Sequence, residues 1–407
     1  MFFRGTSKPR IASDLRCVSF GLCALQLAVF TGCRLPPQKA DPSFYPIGIY
    51  SVPSTNDFAG LRQAGFNLVV GRAEQAYLDA AQNAGLKVLA APGTSAGPGF
   101  SPTKARNIVG QFDRHPALWA WYVVDEPDMD GIPPAQVSEA CRTLKAAGAS
   151  KPTALVLSQG YQALHYGNLA DITMIDRYPI PWLPLANFGQ HVTMTRLALG
   201  RDKPLIAVIQ AFDWASCPEM LPGRKDFREP TLAEIRCMTY EALARGANGL
   251  LYYAYDSGRW KQREHPETWE ALRSVVREVN RRLPLFQARP QWWAKQHQFS
   301  DPEHAFNAAL ESSVTSALLR VDEGNALVPP GDYILAVNNT ENRLEYSFAL
   351  PPGTEDGRRT PKERGQRSGG RGLKSIPVLG EDRIIAPENG RLSDSFTAYA
   401  VHAYGPL

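Results

Sequence analysis

From residue 44 to about residue 287 the chain alternates between short apolar runs and longer stretches with apolar positions at a helical spacing. The apolar runs are rich in β-branched and aromatic residues, which is typical of buried strands. Several helical stretches end in Ala-Gly, the C-terminal helix cap expected before a following strand. Eight such units predict an α/β fold, a (β/α)8 TIM barrel over residues 44–287, with a doubly wound sheet as the alternative. The predicted strands are residues 44–52, 66–71, 86–91, 118–124, 152–157, 171–176, 204–210 and 249–255.

After residue 288 the helical periodicity fades and short alternating stretches appear, separated by Gly, Pro, Asn and Asp. This pattern predicts a small C-terminal antiparallel β-domain, of a sandwich-like kind, over residues 288–407. Within it, residues 353–374 are rich in Gly, Arg and Ser and poor in apolar side chains, which predicts a mobile basic surface loop.

The first 33 residues have the composition of an export signal rather than of a folded domain. A basic leader precedes an apolar stretch over residues 17–30, which is too short to span a bilayer. Phe-Thr-Gly-Cys33 follows and resembles the lipobox of bacterial lipoproteins. The resemblance implies a signal peptide over residues 1–33, a lipidated Cys33, and a Pro-rich tether over residues 34–43. We therefore expect a protein of the bacterial cell envelope, held to the membrane by its N-terminal lipid; an ordinary secretory signal is the alternative.

The net charge of +4 comes from the N-terminal leader and from one basic loop. The leader carries +3 and residues 355–374 carry +4, which leaves about −3 for the rest of the protein. The chain therefore has no basic binding face of the kind that nucleic acids require.

The cysteines and histidines do not predict a metal site. Outside the leader and Cys33, the cysteines are Cys141, Cys217 and Cys237, and no two of them have the spacing of metal ligands. The histidines are scattered singly. We predict no metal and no cofactor, and we leave open whether Cys217 and Cys237 form a disulfide or remain free thiols.

The sequence most suggestive of chemistry is Asp125-Glu126-Pro127, which follows the apolar run of residues 118–124. Pro127 ends strand pairing, so the two acids lie where parallel α/β folds keep their active sites. Because side chains alternate along a strand, only one of the acids can point into the barrel while the strand stays regular. We predict that it is Glu126. The alternative is that both acids simply begin a loop and cap the next helix.

An exported barrel with a C-terminal β-domain and this motif resembles the clan A glycoside hydrolases. That clan carries its acid/base glutamate after strand four, typically in Asn-Glu-Pro, so the resemblance implies that Glu126 is the acid/base residue and that the substrate is a carbohydrate. Asp125 replaces the usual asparagine. The clan's nucleophile is a glutamate at the end of strand seven, where this chain has Gln210, so the clan mechanism does not transfer whole.

A glycosidase usually needs a second carboxylate. Asp176 is our first choice, because a charged group after the apolar residues 172–175 must have a reason to be buried; an ion pair with Arg177 or Arg72 is the alternative. Aromatic rings at the same strand ends suit sugar rings, although barrel packing accounts for many of them. The predicted substrate-binding residues are Asp125, Arg72, Tyr178, Gln210, Trp214, Tyr253 and Asp256.

These patterns predict a glycoside-hydrolase-like enzyme that cleaves glycosidic bonds, with Glu126 and Asp176 as its catalytic residues. A second hypothesis is a non-catalytic glycan-binding lipoprotein that kept the barrel and lost the strand-seven nucleophile. Gln210 is the residue that keeps the second hypothesis open.

The lipid anchor predicts that the wild-type protein fractionates with membranes and that Cys33→Ser is released, because the thiol that would carry the diacyl group is gone. Cell fractionation with immunoblotting compares the two proteins. A Cys33→Ser protein that stays fully in the membrane fraction after cleavage at another site would contradict the lipoprotein prediction.

Overall fold

The computed structural model describes residues 44–291, 297–299, 313–351 and 375–407. The predicted signal peptide, Cys33, the whole tether over residues 34–43 and the basic loop at 353–374 lie outside the described residues.

Eight parallel strands close into a barrel, with β1 paired to β2 on one side and to β8 on the other. The prediction of a TIM barrel is therefore confirmed, and a doubly wound sheet is excluded because the sheet has no open edge. Every strand is apolar along most of its length, as expected for strands covered on both faces. The barrel strands are β1 Ile47–Ile49, β2 Leu68–Arg72, β3 Lys87–Ala91, β4 Leu118–Val124, β5 Thr153–Leu157, β6 Ile172–Asp176, β7 Leu205–Gln210 and β8 Gly249–Tyr253.

Helices connect the strands, and the Ala-Gly ends predicted as caps are confirmed. Gly65, Gly85 and Gly148 have φ values of +106°, +70° and +83°, the left-handed conformation that glycine adopts without strain. Thr231 and Glu234 form a capping box at the start of α7. No helix in the described part of the chain is long and apolar enough to cross a membrane. The helices are α1 Phe58–Ala64, α2 Gln75–Asn83, α3 Pro102–Phe112, α4 Pro134–Ala146, α5 Ala163–Tyr166, α6 Leu185–Leu199, α7 Leu232–Ala244, α8 Pro266–Arg281 and α9 Leu283–Gln287.

The core has two layers that follow from strand alternation. One cluster fills the barrel interior and includes Leu89, Val156 and Leu251. The other lies between the strands and the surrounding helices and is much larger. An inward-facing side chain at the C-terminal end of a strand therefore lies at the open end of the barrel. We call this end the barrel mouth.

The C-terminal region forms small antiparallel sheets, as predicted. Two short strands, β9 Asp256–Ser257 and β10 Trp260–Lys261, form a hairpin after the barrel. The strands that follow are β11 Arg289–Gln291, β12 His297–Phe299, β13 Val314–Val321, β14 Gly331–Asn338, β15 Leu344–Ala349, β16 Ile376–Pro377, β17 Ile384–Ile385, β18 Arg391–Phe396 and β19 Val401–Tyr404. One sheet has the order β11-β13-β14-β19, a second has the order β12-β15-β18, and β16 pairs with β17.

Buried polar contacts fasten the β-domain to α7. The fully buried Glu241 accepts from Arg245 at 2.5 Å, and Arg245 donates to Thr315 of β13 at 2.7 Å. Asn339 also donates to Glu241, at 3.3 Å. Because a buried charge is costly unless it is paired, these contacts hold the domain in one position on the barrel.

The three described cysteines are free thiols, so Cys217 and Cys237 do not form a disulfide. Cys237 is buried on α7, where its thiol contacts the Asn338 carbonyl of β14 at 3.6 Å. Cys217 lies in the loop after β7, beside Ser216. No group of three His, Cys, Asp or Glu among the described residues is arranged to hold a metal ion.

Candidate active site

Three carboxyl groups lie close together at the barrel mouth. Asp125 and Glu126 follow β4 directly, and Asp176 is the last residue of β6. Burial, and then the charges of Glu126 and Asp125, raise the pKa of Asp176, and charges have such an effect only at short range. We call these three residues the carboxylate cluster. The structure thus brings together the two predicted catalytic residues and one predicted substrate ligand.

Both acids after β4 reach the cluster because the strand loses its alternation before it ends. Tyr122 packs in the barrel interior, whereas Val123 and Val124 both pack in the layer between strands and helices. The pairing of β4 with β5 shifts between Tyr122 and Val124. Glu126 then adopts a φ of +35°, a conformation that costs a non-glycine residue roughly 1–3 kcal/mol. The prediction that only one acid points into the mouth is therefore wrong, because it assumed a regular strand.

The loop that carries these acids is fixed by its own hydrogen bonds. The Asp128 carboxylate accepts from the backbone amides of Ser158 and Gln159, at 3.2 and 2.8 Å, and so ties the loop to the end of β5. The Met129 amide donates to the Glu126 carbonyl at 2.9 Å. The strained Glu126 is thus held by its neighbours, as strained residues at functional sites usually are.

Asp176 is the most deeply buried member of the cluster. It continues the inward positions of Ile172 and Met174 along β6, and only 7% of its surface is exposed. The Tyr178 hydroxyl donates to Oδ2 at 3.1 Å. The other oxygen, Oδ1, is buried and accepts from no amide or hydroxyl group, but the carboxyl of Asp176 also forms a hydrogen bond with that of Glu126.

The alternative role predicted for Asp176, an ion pair with an arginine, is not present. Arg177 turns away and donates to the Asn187 side chain at 2.7 Å. Arg72 is exposed and pairs with Glu74 at 3.3 Å. Asp176 therefore forms an ion pair with neither arginine, and burial raises the pKa of its carboxyl.

Burial, and then the charge of Asp125, together raise the pKa of Glu126 to about 7. Burial, and then the charges of Glu126 and Asp125, hold the pKa of Asp176 well above its ordinary range. A hydrogen bond joins the carboxyls of Glu126 and Asp176, and it needs a proton on one of the two acids. The two carboxyls thus resist being charged together, and their proton release is coupled.

Asp125 occupies the open side of the cluster. The Tyr122 hydroxyl donates to its carboxylate at 2.5 Å. The residue is exposed by surface area, but protein atoms surround the recess that it occupies, and this desolvation raises its pKa. The hydrogen bond from Tyr122 works in the opposite direction and stabilises the charged form. Asp125 is therefore the member of the cluster that ionises most readily.

Aromatic rings surround the cluster in a continuous series. Tyr178 stacks with Tyr253 at a centroid distance of 5.5 Å, and Tyr253 meets Tyr50 edge-on at 5.7 Å. Trp214 lies 6.1 Å from Tyr178. The predicted ligands Tyr178, Trp214 and Tyr253 are thus brought together at the mouth.

Sequence reasoning did not single out Tyr50 and Tyr122 as members of the site. The Tyr50 hydroxyl donates to that of Tyr122 at 3.3 Å. Burial, and then the charges of the whole carboxylate cluster, raise the pKa of Tyr50. Tyr50 directly follows β1, so its position at a strand end was the available signal.

Three residues predicted to bind substrate lie outside this arrangement. Arg72 is exposed on the rim, where it pairs with Glu74. Asp256 pairs with Lys261 in the β9–β10 hairpin. Gln210 is fully buried, and its amide is occupied: Oε1 accepts from the Ile180 amide at 2.9 Å, while Nε2 donates to the carbonyls of Ile180 and Phe212, at 2.9 and 3.2 Å. Gln210 anchors the loops after β6 and β7, so its predicted contact with substrate needs correction.

Comparison with known proteins identifies shared architecture. No protein-family model matches the chain, and no curated protein matches it in sequence. Solved structures match in fold. A glycoside hydrolase family 5 protein from Bacteroides vulgatus ATCC 8482 has a TM-score of 0.53 at 11% identity, over 89% of each chain. A structure described only as a glycoside hydrolase has a TM-score of 0.54 at 11% identity, over 89% of this chain and 92% of the other.

A third match is the α-amylase of Geobacillus thermoleovorans, solved with acarbose, with a TM-score of 0.50 at 9% identity over 86% of this chain and 90% of the amylase. At such identities the matches establish the fold alone. The barrel together with its β-domain is thus an architecture that glycoside hydrolases use.

Gln210→Glu is expected to destabilise the protein by roughly 3 kcal/mol, because glutamate cannot donate to the two carbonyls that the amide now serves and adds a buried charge. Urea unfolding measures the change. Gln82→Glu on the exposed face of α2 is the control and should stay within about 0.5 kcal/mol of the wild type. Unchanged stability together with a gain in glycosidase turnover would mean instead that position 210 is a vacant nucleophile site.

Proposed function

We propose that this protein is a glycoside hydrolase in which Glu126 is the general acid/base. The observation that carries the proposal is the position of Glu126: it lies at the barrel mouth, held in a strained conformation, with a pKa raised to about 7 by burial and by the charge of Asp125. A carboxyl with such a pKa is half protonated at neutral pH, so it can give a proton to a leaving oxygen and take one back. The shared architecture with glycoside hydrolases supports this assignment.

The aromatic rings around the cluster support a carbohydrate as substrate. Sugars present apolar C–H faces to aromatic side chains and hydroxyl groups to polar ones. Tyr50, Tyr178, Tyr253 and Trp214 supply the rings, and the carboxylate cluster supplies hydrogen-bond acceptors. One of the structures of similar fold was solved in complex with acarbose, which agrees with a carbohydrate as ligand.

The other two carboxyls differ in charge and so in role. Asp125 ionises most readily, since the Tyr122 hydroxyl stabilises its charge, and we assign to it the second carboxylate of the reaction, the group that attacks the sugar or activates water. Asp176, predicted as that second carboxylate, has a pKa held well above its ordinary range. Its carboxyl therefore resists ionisation, and its hydrogen bond with Glu126 lets the two acids share a proton.

Non-catalytic glycan binding is the second candidate, and Gln210 favours it. The strand-seven position that carries the nucleophile in clan A has no carboxylate here, and its amide is part of the framework. A protein of this kind would bind glycans with the same rings and cleave none of them. Export and attachment to the membrane through Cys33 are compatible with both candidate functions. They are proposed from the sequence of the leader.

Glu126→Gln is expected to lower turnover by at least about a hundredfold, the usual scale for the loss of general acid catalysis, while the fold and glycan binding remain. Wild-type turnover should fall as pH rises through about 7, because the acid must be protonated. Release of reducing sugar from a polysaccharide panel finds a substrate, and kcat/KM is then compared over pH.

Glu219→Gln is the matched control, since it removes the same charge from an exposed rim residue that pairs with Arg259. A second readout checks the raised pKa itself. The folded protein keeps a proton on Glu126 that the unfolded chain has already released, so its stability falls as pH rises toward 7. Glu126→Gln should therefore melt at a higher temperature than the wild type at pH 8. Wild-type turnover in Glu126→Gln would end the acid/base assignment.

Asp125→Asn and Asp176→Asn are expected to separate the roles of the other two carboxyls. Asp125→Asn removes the ionised carboxylate and should lower kcat by about a hundredfold. Asp176→Asn resembles the protonated acid and should raise KM while kcat stays within about tenfold of the wild type. Steady-state kinetics on the substrate found above measures both constants. The reverse pattern would make Asp176 the nucleophile or base.

A further inference from the structure

The end of the barrel opposite the mouth carries a group of basic side chains. This end, which we call the barrel base, consists of the turns that lead from each helix into the next strand. Four of the basic residues lie in or beside the consecutive turns before β2, β3, β4 and β5, and a fifth lies in the turn before β7. Three of the five are exposed and two are half-buried: Arg62, Arg114 and Arg201, and Lys87 and Lys151.

Hydrogen bonds join neighbouring turns of the base into one surface. Lys87 donates from Nζ to the Pro116 carbonyl at 2.8 Å, which ties the start of β3 to the turn before β4. The backbone amides of Ser150 and Lys151 donate to the Asp113 carboxylate at 2.7 and 3.1 Å, which ties the turn before β4 to the turn before β5. The basic side chains are therefore carried by a connected surface rather than by independent loops.

Most of the acidic groups near the base are already paired. Asp113 is buried beneath the amides just named, and Asp171 pairs with Lys145 at 3.1 Å. Asp79 lies 3.0 Å from a histidine nitrogen. Asp202 is the exposed acid that forms no ion pair within the described residues. The ion pairs described at this end include none of the five basic residues, so the base presents a net positive charge.

The two ends of the barrel thus differ in the sign of their charge. The carboxylate cluster lies at the mouth, and the five basic residues lie at the base. From the charge balance of the whole chain we expected no basic binding face, but that balance averages the two ends. An extended anionic surface would attract the base and repel the mouth.

The polypeptide enters the barrel from the basic end. Phe44 contacts Trp119 near the start of β4, with ring centroids 5.9 Å apart. The Tyr45 carbonyl accepts from the Asn67 side chain, just before β2, at 2.8 Å. The predicted tether over residues 34–43 therefore joins the protein at the base. Ten residues span at most about 35 Å, so a lipid at the start of the tether would keep the base close to a bilayer.

An exposed apolar side chain lies at the same end as the basic residues. Leu197 is in the last turn of α6 and is 78% exposed, more than any other large apolar side chain in the described part of the chain. Arg201 follows it in the turn before β7. Binding at a membrane interface draws on both electrostatic attraction to anionic lipids and burial of apolar side chains, and the base offers both.

We propose that the barrel base docks on a bilayer of anionic phospholipids, with its lysines and arginines against the phosphate headgroups and the mouth directed away from the membrane. Each basic side chain near such a surface raises the affinity by roughly fivefold, so several together give a substantial attraction. The inference goes beyond the proposed glycosidase and uses no residue of its site. It rests on the proposed lipid anchor only for the delivery of the protein to the membrane.

Sedimentation with lipid vesicles tests the proposal. The Cys33→Ser protein is used, so that no acyl chain contributes to binding. Vesicles of phosphatidylcholine with about 30% phosphatidylglycerol should bind it at least about tenfold more tightly than vesicles of phosphatidylcholine alone. Binding to the anionic vesicles should weaken when the salt concentration is raised from about 0.05 M to about 0.5 M, because salt screens exposed charges.

A triple variant of the base locates the attraction. Arg114→Gln, Lys151→Gln and Arg201→Gln together remove three charges, and no side-chain hydrogen bond or ion pair of these residues is found among the described residues. The triple variant should bind the anionic vesicles at least about tenfold more weakly. Its matched control removes two arginines and one lysine from the mouth side, through Arg72→Gln, Lys225→Gln and Arg259→Gln, and should stay within about twofold of the parent. Circular dichroism and thermal melting establish that both variants fold.

Equal binding to the two kinds of vesicle, or binding to neither, overturns the inference. Undiminished binding of the base variant also overturns it and assigns the attraction to another part of the chain. Tighter binding to a DNA duplex than to the anionic vesicles would make the base a nucleic-acid face instead. The test measures neither cell fractionation nor turnover, so its result is independent of the lipid anchor and of the glycosidase.

Discussion

Closure of the barrel is the constraint on which the site depends. β1 has only the three residues Ile47–Ile49, yet it pairs with both β2 and β8. With the sheet closed, the C-terminal ends of all the strands converge on one small area. Tyr50, Glu126, Asp176 and Tyr253 are far apart in sequence and become neighbours for this reason alone. The same convergence forces like charges together, because nothing in the geometry of the barrel separates acids that end different strands.

The protein tolerates that crowding in two ways. Coupled protonation lowers the charge, since the pKa values of Glu126 and Asp176 rise until the two carboxyls no longer ionise together. The second way is hydrogen bonding from tyrosine hydroxyls: Tyr122 donates to Asp125, and Tyr178 donates to Asp176. Neither uses a basic side chain. Protonation and phenol donors leave the recess acidic, whereas an arginine would have neutralised it permanently and occupied the space of a ligand.

Sequence was a good guide wherever the structure follows a regular period. Apolar runs located the barrel strands, and Ala-Gly pairs such as Ala64-Gly65 marked helix ends, because both signals are local and the backbone geometry that causes them is local too. Glu126 and Asp176 were found at strand ends for the same reason. The orientation of Asp125 could not be predicted in this way. It depends on a register shift between β4 and β5, which the alternation of apolar and polar residues does not reveal.

The positions that sequence misjudged share another cause. Asp256 and Gln210 both end or follow barrel strands, yet each satisfies its polar group within the protein, Asp256 through Lys261 and Gln210 through loop backbone. A strand-end position indicates that a side chain can reach the mouth, but only the tertiary structure decides whether its hydrogen-bonding capacity is already used. Tyr50 is the opposite case. No sequence motif marks it, yet its contacts in the folded protein make it part of the site.

Gln210 also shows that a residue at a strand end can have a structural role where related barrels have a catalytic one. In clan A the strand-seven residue is a carboxylate that faces the sugar, whereas here the equivalent amide joins the loop at Ile180 to the loop at Phe212. An amide suits that task because it donates and accepts at once, and a carboxylate cannot. With β7 committed to the framework, the acidic groups of the mouth come from β4 and β6, on one side of the barrel. A reaction at this site must therefore draw both of its carboxyls from that side, which is the arrangement that the strained end of β4 makes available by turning Asp125 and Glu126 toward the same recess.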